Sequence, residues 1–406
     1  MVTGFLTGRF MSTTQGACDF CGKTALAAVY TPEGTARGLS VHLCGHCGLV
    51  QSLPRVARTK ERHEAAVSGG ADWGNVRYGK GFRTDVALQA LARQSDLAAP
   101  LSLLDVGSNR GSFAKAFLAA APNAHVTAVE PDERFAASCA DLPRTELIQA
   151  RIEDTRLPDG GFDIVHSCHT IEHLAAPFAA LKDHARTLKP GGILVLDAPN
   201  IALIGGRDIL EEWFIDKHLY HFSATTLGRM IEAAGFEILR EPDPADDVNL
   251  LFVARKTGAP PFATTLMKLG DPMEVGIASA LLQRYQATRL ANLAALRHAA
   301  AAIRALAPRR VALWGAGRLF DLLVKEGGFD PRMLSLLIDA HLQKHMDERH
   351  GVRLSAPEAL AEIDAVIVMS RMFAGEISRE VKMRVPNAEI ILYADLLESA
   401  KARKAA

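Results

Sequence analysis

A chain of 406 residues has room for more than one domain of ~100–200 residues, and a 49% hydrophobic, 23% charged composition allows each to bury a core. Forty-six Lys and Arg balance forty-six Asp and Glu, a neutrality that argues against a protein built to coat nucleic acid or an anionic membrane. No run approaches the ~20 apolar residues of a membrane span. The opening residues from Met1 to Phe10 lack the basic start and apolar core of a signal peptide, so the expectation is a cytoplasmic protein.

In chain order, the first signal is a pair of C-x2-C motifs, Cys18 with Cys21 and Cys44 with Cys47. Four clustered cysteines in a cytosolic chain point to metal rather than disulfides, and four thiolates are what tetrahedral Zn²⁺ takes. Gly22 and Gly48 follow each pair and suit knuckle turns, so residues 14–52 are expected to form a zinc ribbon. Among the first 60 residues six are basic and two acidic. Four thiolates and one Zn²⁺ contribute about −2, leaving about +2. That is a weak footprint for phosphate binding, and favours a structural clip or a cleft wall over a nucleic-acid grip. His42 and His46 read as solvated or packed.

Residues 53–84 are expected to be a helical linker followed by a lid loop. The loop Gly69–Gly81 carries Trp73, Arg77, Tyr78 and Lys80, aromatic and basic groups suited to a sugar diphosphate. From 85 to 255, strand-like runs alternate with helical stretches: L-S-L-L-D-V, H-V-T-A-V-E, F-D-I-V-H-S, G-I-L-V-L-D and N-L-L-F-V-A. Such alternation predicts an α/β domain built on a parallel sheet. Ser223 is the expected N-cap of a helix reaching Ala234. Residues 256–308 read as a linker dominated by long helix, and 309–398 as a second, smaller Rossmann-like α/β unit.

Leu103-Leu-Asp-Val-Gly-Ser-Asn-Arg-Gly-Ser-Phe113 is an apolar strand running into D-x-G-x-x-x-G and then a helix. Glycines at 107 and 111 let backbone approach a ligand at a strand end. Glu130, at the end of the next strand, can accept both hydroxyls of a ribose. The loop is neither the dinucleotide G-x-G-x-x-G nor a phosphate-binding P-loop. It resembles motif I of class I S-adenosylmethionine (SAM)-dependent methyltransferases, and later landmarks agree: Ile152-Glu-Asp154, Pro158 to Val165, His169 to Leu174, and Leu188 to Val195. The resemblance covers residues 85–255 and implies a class I methyltransferase Rossmann-like sheet. It implies SAM contacts from Asp105, Gly107, Ser108, Asn109, Gly111, Phe113, Glu130, Ile152, Glu153, Asp154 and His169. Arg151 stands where many relatives have an acid.

Methyl transfer to a weak nucleophile needs alignment and removal of a proton. The segment from Trp213 to Ser223 supplies His218 and His221 as candidate bases, Tyr220 as a hydrogen-bonding partner and Asp216 as an orienting carboxylate. His169, Glu172 and His173 form a second cluster, read as packing or SAM contact.

The order of ribbon, SAM domain and G-A-G-type α/β unit is similar to the bacterial sugar C-methyltransferases that act on nucleotide-linked keto-deoxysugars. Those relatives carry Tyr-His-Glu-His before Tyr-Phe-Ser. Here the stretch is Ile215-Asp216-Lys217-His218, then His221-Phe222-Ser223, so the family's first tyrosine is replaced by Ile215. The resulting expectation is a SAM-dependent methyltransferase with a histidine base. Its acceptor is an oxygen or carbon of a small polar molecule, a sugar or nucleotide-linked sugar, and neither nucleic acid nor membrane is a partner. A zinc-ribbon RNA methyltransferase and a non-catalytic SAM-binding protein are the alternatives. In the C-terminal unit, Gly315-Ala-Gly317 and Asp339 make an incomplete dinucleotide site, because Phe320 stands at the third glycine position. Arg318 is placed either to meet a phosphate there or to cap the helix.

Overall fold

A computed structural model describes residues 16–33, 38–55, 81–215, 218–257, 269–344, 346–371 and 373–405. The lid loop at 69–80, the helical segment after residue 55, and Asp216 lie outside the described residues. The chain divides into two units, one holding residues up to 203 with 214–282, the other holding 204–213 with 283 onward. Two expected boundaries change. The ribbon belongs to the first unit rather than standing apart, and residues 204–213 leave the methyltransferase stretch for the second unit. Among the described residues no helix is long and apolar enough to cross a membrane.

The first unit is built on a seven-stranded sheet. Its strands are β4 (Ser102–Val106), β5 (His125–Val129), β6 (Thr145–Ile148), β7 (Phe162–Cys168), β8 (Leu188–Pro199), β10 (Phe236–Arg240) and β11 (Asn249–Lys256), in the order β10-β11-β8-β7-β4-β5-β6. All neighbours are parallel except β11, which runs antiparallel to β8 and to β10. Strands β4, β7 and β8 read as continuous apolar runs because both their faces are covered. The covering helices are α1 (Gly81–Ala92), α2 (Ser112–Ala120), α3 (Glu133–Ala140), α4 (Pro177–Thr187) and α5 (Ala224–Ala233). Helix α5 starts where expected: Ser223 Oγ accepts from Thr226 N at 3.1 Å, and Thr226 Oγ1 accepts from Ser223 N at 3.0 Å.

A second, four-stranded sheet runs β1-β2-β3-β9 through β1 (Leu26–Tyr30), β2 (Ser40–Cys44), β3 (Val50–Leu53) and β9 (Tyr220–His221). Its last strand comes from the heart of the methyltransferase stretch. One core therefore holds ribbon residues Cys18, Phe20, Leu26, Cys44, Cys47 and Leu49 together with Leu181, Tyr220, Phe222 and Leu227. Burying each large apolar side chain there contributes ~1.5–3 kcal/mol, so the ribbon is held by the same packing as its neighbour.

The second unit carries β12 (Val311–Trp314), β13 (Leu336–Ile338), β14 (Glu348–Arg349), β15 (Val352–Ser355), β16 (Ala365–Val368) and β17 (Glu389–Leu392) in the order β14-β15-β13-β12-β16-β17, parallel except for the short β14–β15 pair. Its centre is β12 (Val311–Trp314), followed by Gly315 and the helix Arg318–Lys325. The helix Pro272–Arg304, expected as a linker, is continuous and contributes residues to both units.

Candidate active site

Strand order reverses around β4, with β5 on one side and β7 on the other. In an open α/β sheet, ligands settle in the crevice beyond the carboxyl ends of the strands at such a point. Leaving β4, the chain turns through Gly107 (φ +67°), Asn109 (φ +51°) and Gly111 (φ +72°) into α2. Gly107 is required twice over: its φ is left-handed, and a Cβ there would lie 2.2 Å from Thr170 Oγ1. Gly107 N and Ser108 N both donate to Val129 O. At the end of β5, Glu130 is buried and its carboxylate accepts Asn109 N at 2.7 Å and Asp132 N at 3.0 Å. These two bonds fix the carboxylate against the loop.

Asp105 is buried in β4 with Oδ1 2.7 Å from His166 Nδ1. Its Oδ2 has no hydrogen-bond donor among the described residues. Phe113 lies below the loop, its ring 3.5 Å from that of His166 and nearly parallel to it. The expected cofactor contact of Phe113 thus becomes a packing role: the first turn of α2 points it into the sheet, where it is 2% exposed. The turn Ile152–Asp154 also differs from its expectation. Ile152 is buried, Asp154 is exposed, and the Glu153 carboxylate is taken up by Arg151 and by Ala175 N at 2.7 Å. The unusual Arg151 is thereby explained as Glu153's ion-pair partner.

On the other side of the loop, β7 ends in His169, a non-glycine residue at φ +49°. A histidine held in this region is uncommon and marks a site over-determined by its surroundings. His169 N donates to Asp197 O at 2.8 Å, and Nε2 lies 3.0 Å from Asn249 Oδ1. The Asn249 amide nitrogen faces Asp246, and Arg83 bridges Asp246 (2.7 Å) and Asp197 (2.6 Å). With Asn249 donating to Asp246, its oxygen accepts, so His169 carries its proton on Nε2 and presents Nδ1. Nothing in the sequence pointed to Arg83 on α1, to Asp246, 163 residues beyond it, or to Asn249 at the entry of β11. Nδ1 lies 3.9 Å from the buried carboxylate of Glu172, and His173 Nε2 is 3.5 Å from the same oxygen. The His173 and His218 rings are 4.8 Å apart. Leu219 N donates to Glu172 O at 2.8 Å, fixing the entry of the His218 segment.

Of the three residues expected to be catalytic, only His218 joins this cluster. Tyr220 and His221 alternate to opposite faces of β9, and both faces are covered. Tyr220 is 1% exposed, donates to Ala175 O at 2.8 Å, and its phenol is pushed well above the usual range by burial. His221 packs edge-on against Phe214, lies 2.9 Å from Ser52 Oγ through Nε2, and is pushed down to about 3 by burial. Both side chains are buried in the core.

The cysteine quartet meets a test for zinc. All four sulfurs lie within 4.8 Å of one another, with Cys18–Cys47 and Cys21–Cys44 each at 3.6 Å. Zn–S bonds of ~2.3 Å in a tetrahedron place sulfurs roughly 3.8 Å apart. Gly22 N and Gly48 N donate to Cys18 O and Cys44 O, closing two knuckles at φ +70° and +80°.

In the second unit, the Asp339 carboxylate is consumed by its own chain, accepting Ala316 N, His341 N and Leu342 N at 3.1–3.2 Å. Arg318 pairs with Glu211.

Residues 80–241 match the methyltransferase-domain family. That stretch is similar to a methyltransferase domain. A protein of Mycolicibacterium smegmatis named probable S-adenosylmethionine-dependent methyltransferase is 30% identical over 158 residues, 38% of this chain and 58% of that one. A similarly named protein of Mycobacterium tuberculosis is 32% identical over 136 residues, 33% of this chain and 48% of that one. The chain thus spans about half the length of these curated relatives. Among solved structures, a SAM-dependent methyltransferase from Mesorhizobium loti aligns at 18% identity and TM-score 0.36, over 41% of this chain and 96% of that one.

Proposed function

We propose that the protein transfers the methyl group of SAM to an oxygen or carbon of a small polar acceptor, a sugar or nucleotide-linked sugar. The observation that carries the reading is the placement of an imidazole–carboxylate cluster, His169, Glu172, His173 and His218, beside the Gly107–Gly111 loop: Thr170 of the cluster's own turn touches Gly107. One side of the crevice suits SAM and the other suits an acceptor that must lose a proton.

Glu130, pinned by two backbone N–H groups, offers an ionised carboxylate to the ribose hydroxyls. Asp105 Oδ2, buried without a donor among the described residues, suits one from a ligand, and the ammonium of SAM's amino-acid arm supplies it. SAM brings an already activated methyl group, so the protein's part is alignment, exclusion of water and acceptance of a proton by the imidazole cluster. A zinc ion in the four-cysteine site would be structural, since all four positions are filled by protein ligands. A neutral chain supports a small acceptor over RNA.

The test is incubation of methyl-labelled SAM with a panel of sugar nucleotides, free sugars and RNA, followed by mass spectrometry. Label in a sugar or sugar nucleotide is expected. Label confined to RNA, or SAM bound with no transfer to any acceptor, overturns the reading.

A further inference from the structure

Glu172, His173 and His218 form a set that SAM binding does not explain. One ligating atom from each lies within 4.8 Å of the other two. Glu172 and His173 sit on a single turn, Ile171–His173, and His218 is brought to them by the bond from Leu219 N to Glu172 O. Donors sharing a cation with bonds of ~2.0–2.2 Å stand roughly 3–3.5 Å apart, so side-chain rotations of about an ångström close the set. The Glu172 side chain is 1% exposed and that of His173 18%, so the carboxylate anchors the inner side and the imidazoles face outward.

We propose that Glu172, His173 and His218 bind a divalent transition-metal cation that receives the acceptor. Two nitrogens and one oxygen favour Mn²⁺, Co²⁺ or Zn²⁺ over Mg²⁺ and Ca²⁺. Three protein ligands leave positions open, as in catalytic rather than structural sites. This deepens the methyltransferase reading and rests on it for its consequence: a cation here acidifies an acceptor hydroxyl and favours substrates with neighbouring oxygens. His218 is then a ligand, and the proton acceptor is His169 through Nδ1. In the balanced step the hydroxyl proton moves to His169 and the oxygen's electron pair forms the new C–O bond. The C–S bond breaks with its pair returning to sulfur, giving a methyl ether and a neutral thioether.

The experiment titrates Mn²⁺, and separately Co²⁺, into the full-length zinc-loaded protein, following the first by electron paramagnetic resonance and the second by visible absorption. SAM affinity is measured by calorimetry on the same samples. One cation per chain is expected, with binding weakened more than about tenfold in His173→Ala and His218→Ala and unchanged in the exposed control His125→Ala. Retained SAM affinity in each variant shows that the fold is intact; should either variant lose it, Glu172→Gln, which keeps the backbone bond to Leu219, takes its place. No binding of either cation, or binding undiminished by these substitutions, overturns the metal site. SAM bound without metal removes this inference and leaves the methyltransferase reading standing, whereas metal bound without SAM does the reverse.

Discussion

Glu130 was legible from its position after an apolar strand, and the structure adds what holds its carboxylate: Asn109 N of the loop and Asp132 N just beyond it. Glu130→Ala should weaken SAM binding at least tenfold, about 1.4 kcal/mol or more, because it removes a charge-assisted acceptor of ribose hydroxyls. Unchanged affinity in calorimetry would contradict that role. Tyr220 and His221 show the opposite case. Polar residue types in a run such as His218-Leu-Tyr-His221 carry no mark of burial, and only the pairing of β9 with β3 decides it. That burial has a consequence in acid. His221 is held at about 3 and His184 at about 4, both by desolvation, against an unfolded value near 6.5. With the folded values below the unfolded one, stability is fully present above pH ~6.5 and is lost as pH falls toward 4 and 3. At pH 5 each histidine accounts for ~2 kcal/mol of that loss. The urea midpoint should therefore fall between pH 7 and pH 5, and His221→Gln should flatten the fall. An equal pH dependence in wild type and variant would show that His221 protonates readily in the folded chain.

Among elements, five of the main sheet's seven strands were legible because central strands buried on both faces are rich in apolar residues, whereas β6 (T-E-L-I) and β10 (F-E-I-L-R) were not. Strand β9 was not, since two residues make no pattern and its partner lies about 170 positions earlier in the chain, where Ser52 meets His221. This short pairing joins the cysteine knuckles to the segment that carries His218. Ser52 N donates to Leu219 O at 2.8 Å, and Leu219 N to Glu172 O. A Cβ on Gly48 would also come within 2.6 Å of Glu274, the carboxylate that accepts from Ser223 Oγ. Loss of the metal-binding knuckles should thus loosen residues 218–222 as well as the ribbon. In Cys44→Ser, hydrogen exchange at Leu219 and Tyr220 is expected to accelerate together with exchange in β2 and β3; acceleration confined to residues 16–53 would show that the two segments are not coupled. Metal analysis of the wild type should find about one tightly held zinc per chain.

At the scale of the whole molecule, the chain divides into two compact units whose bounds differ from those read in the sequence. The ribbon shares a core with the methyltransferase sheet because its buried Phe20 and Leu49 have no core of their own, and residues 204–213 leave for the second unit, where Leu210 packs with Leu296 and Phe320. Local patterns report which face of an element is apolar; they do not report which neighbour covers it. The zero net charge first excluded polyanionic partners and then agreed with a crevice flanked by carboxylates and imidazoles rather than lined by lysines. Everything proposed for that crevice depends on SAM occupying the Gly107–Gly111 loop. Calorimetric titration of SAM into the wild type and into Gly107→Ala tests this most directly, because a Cβ at 107 is barred by a left-handed φ and by Thr170. The account predicts one saturable site per chain in the wild type and loss of that site in the variant; no binding to the wild type, or equal binding to both, would contradict it.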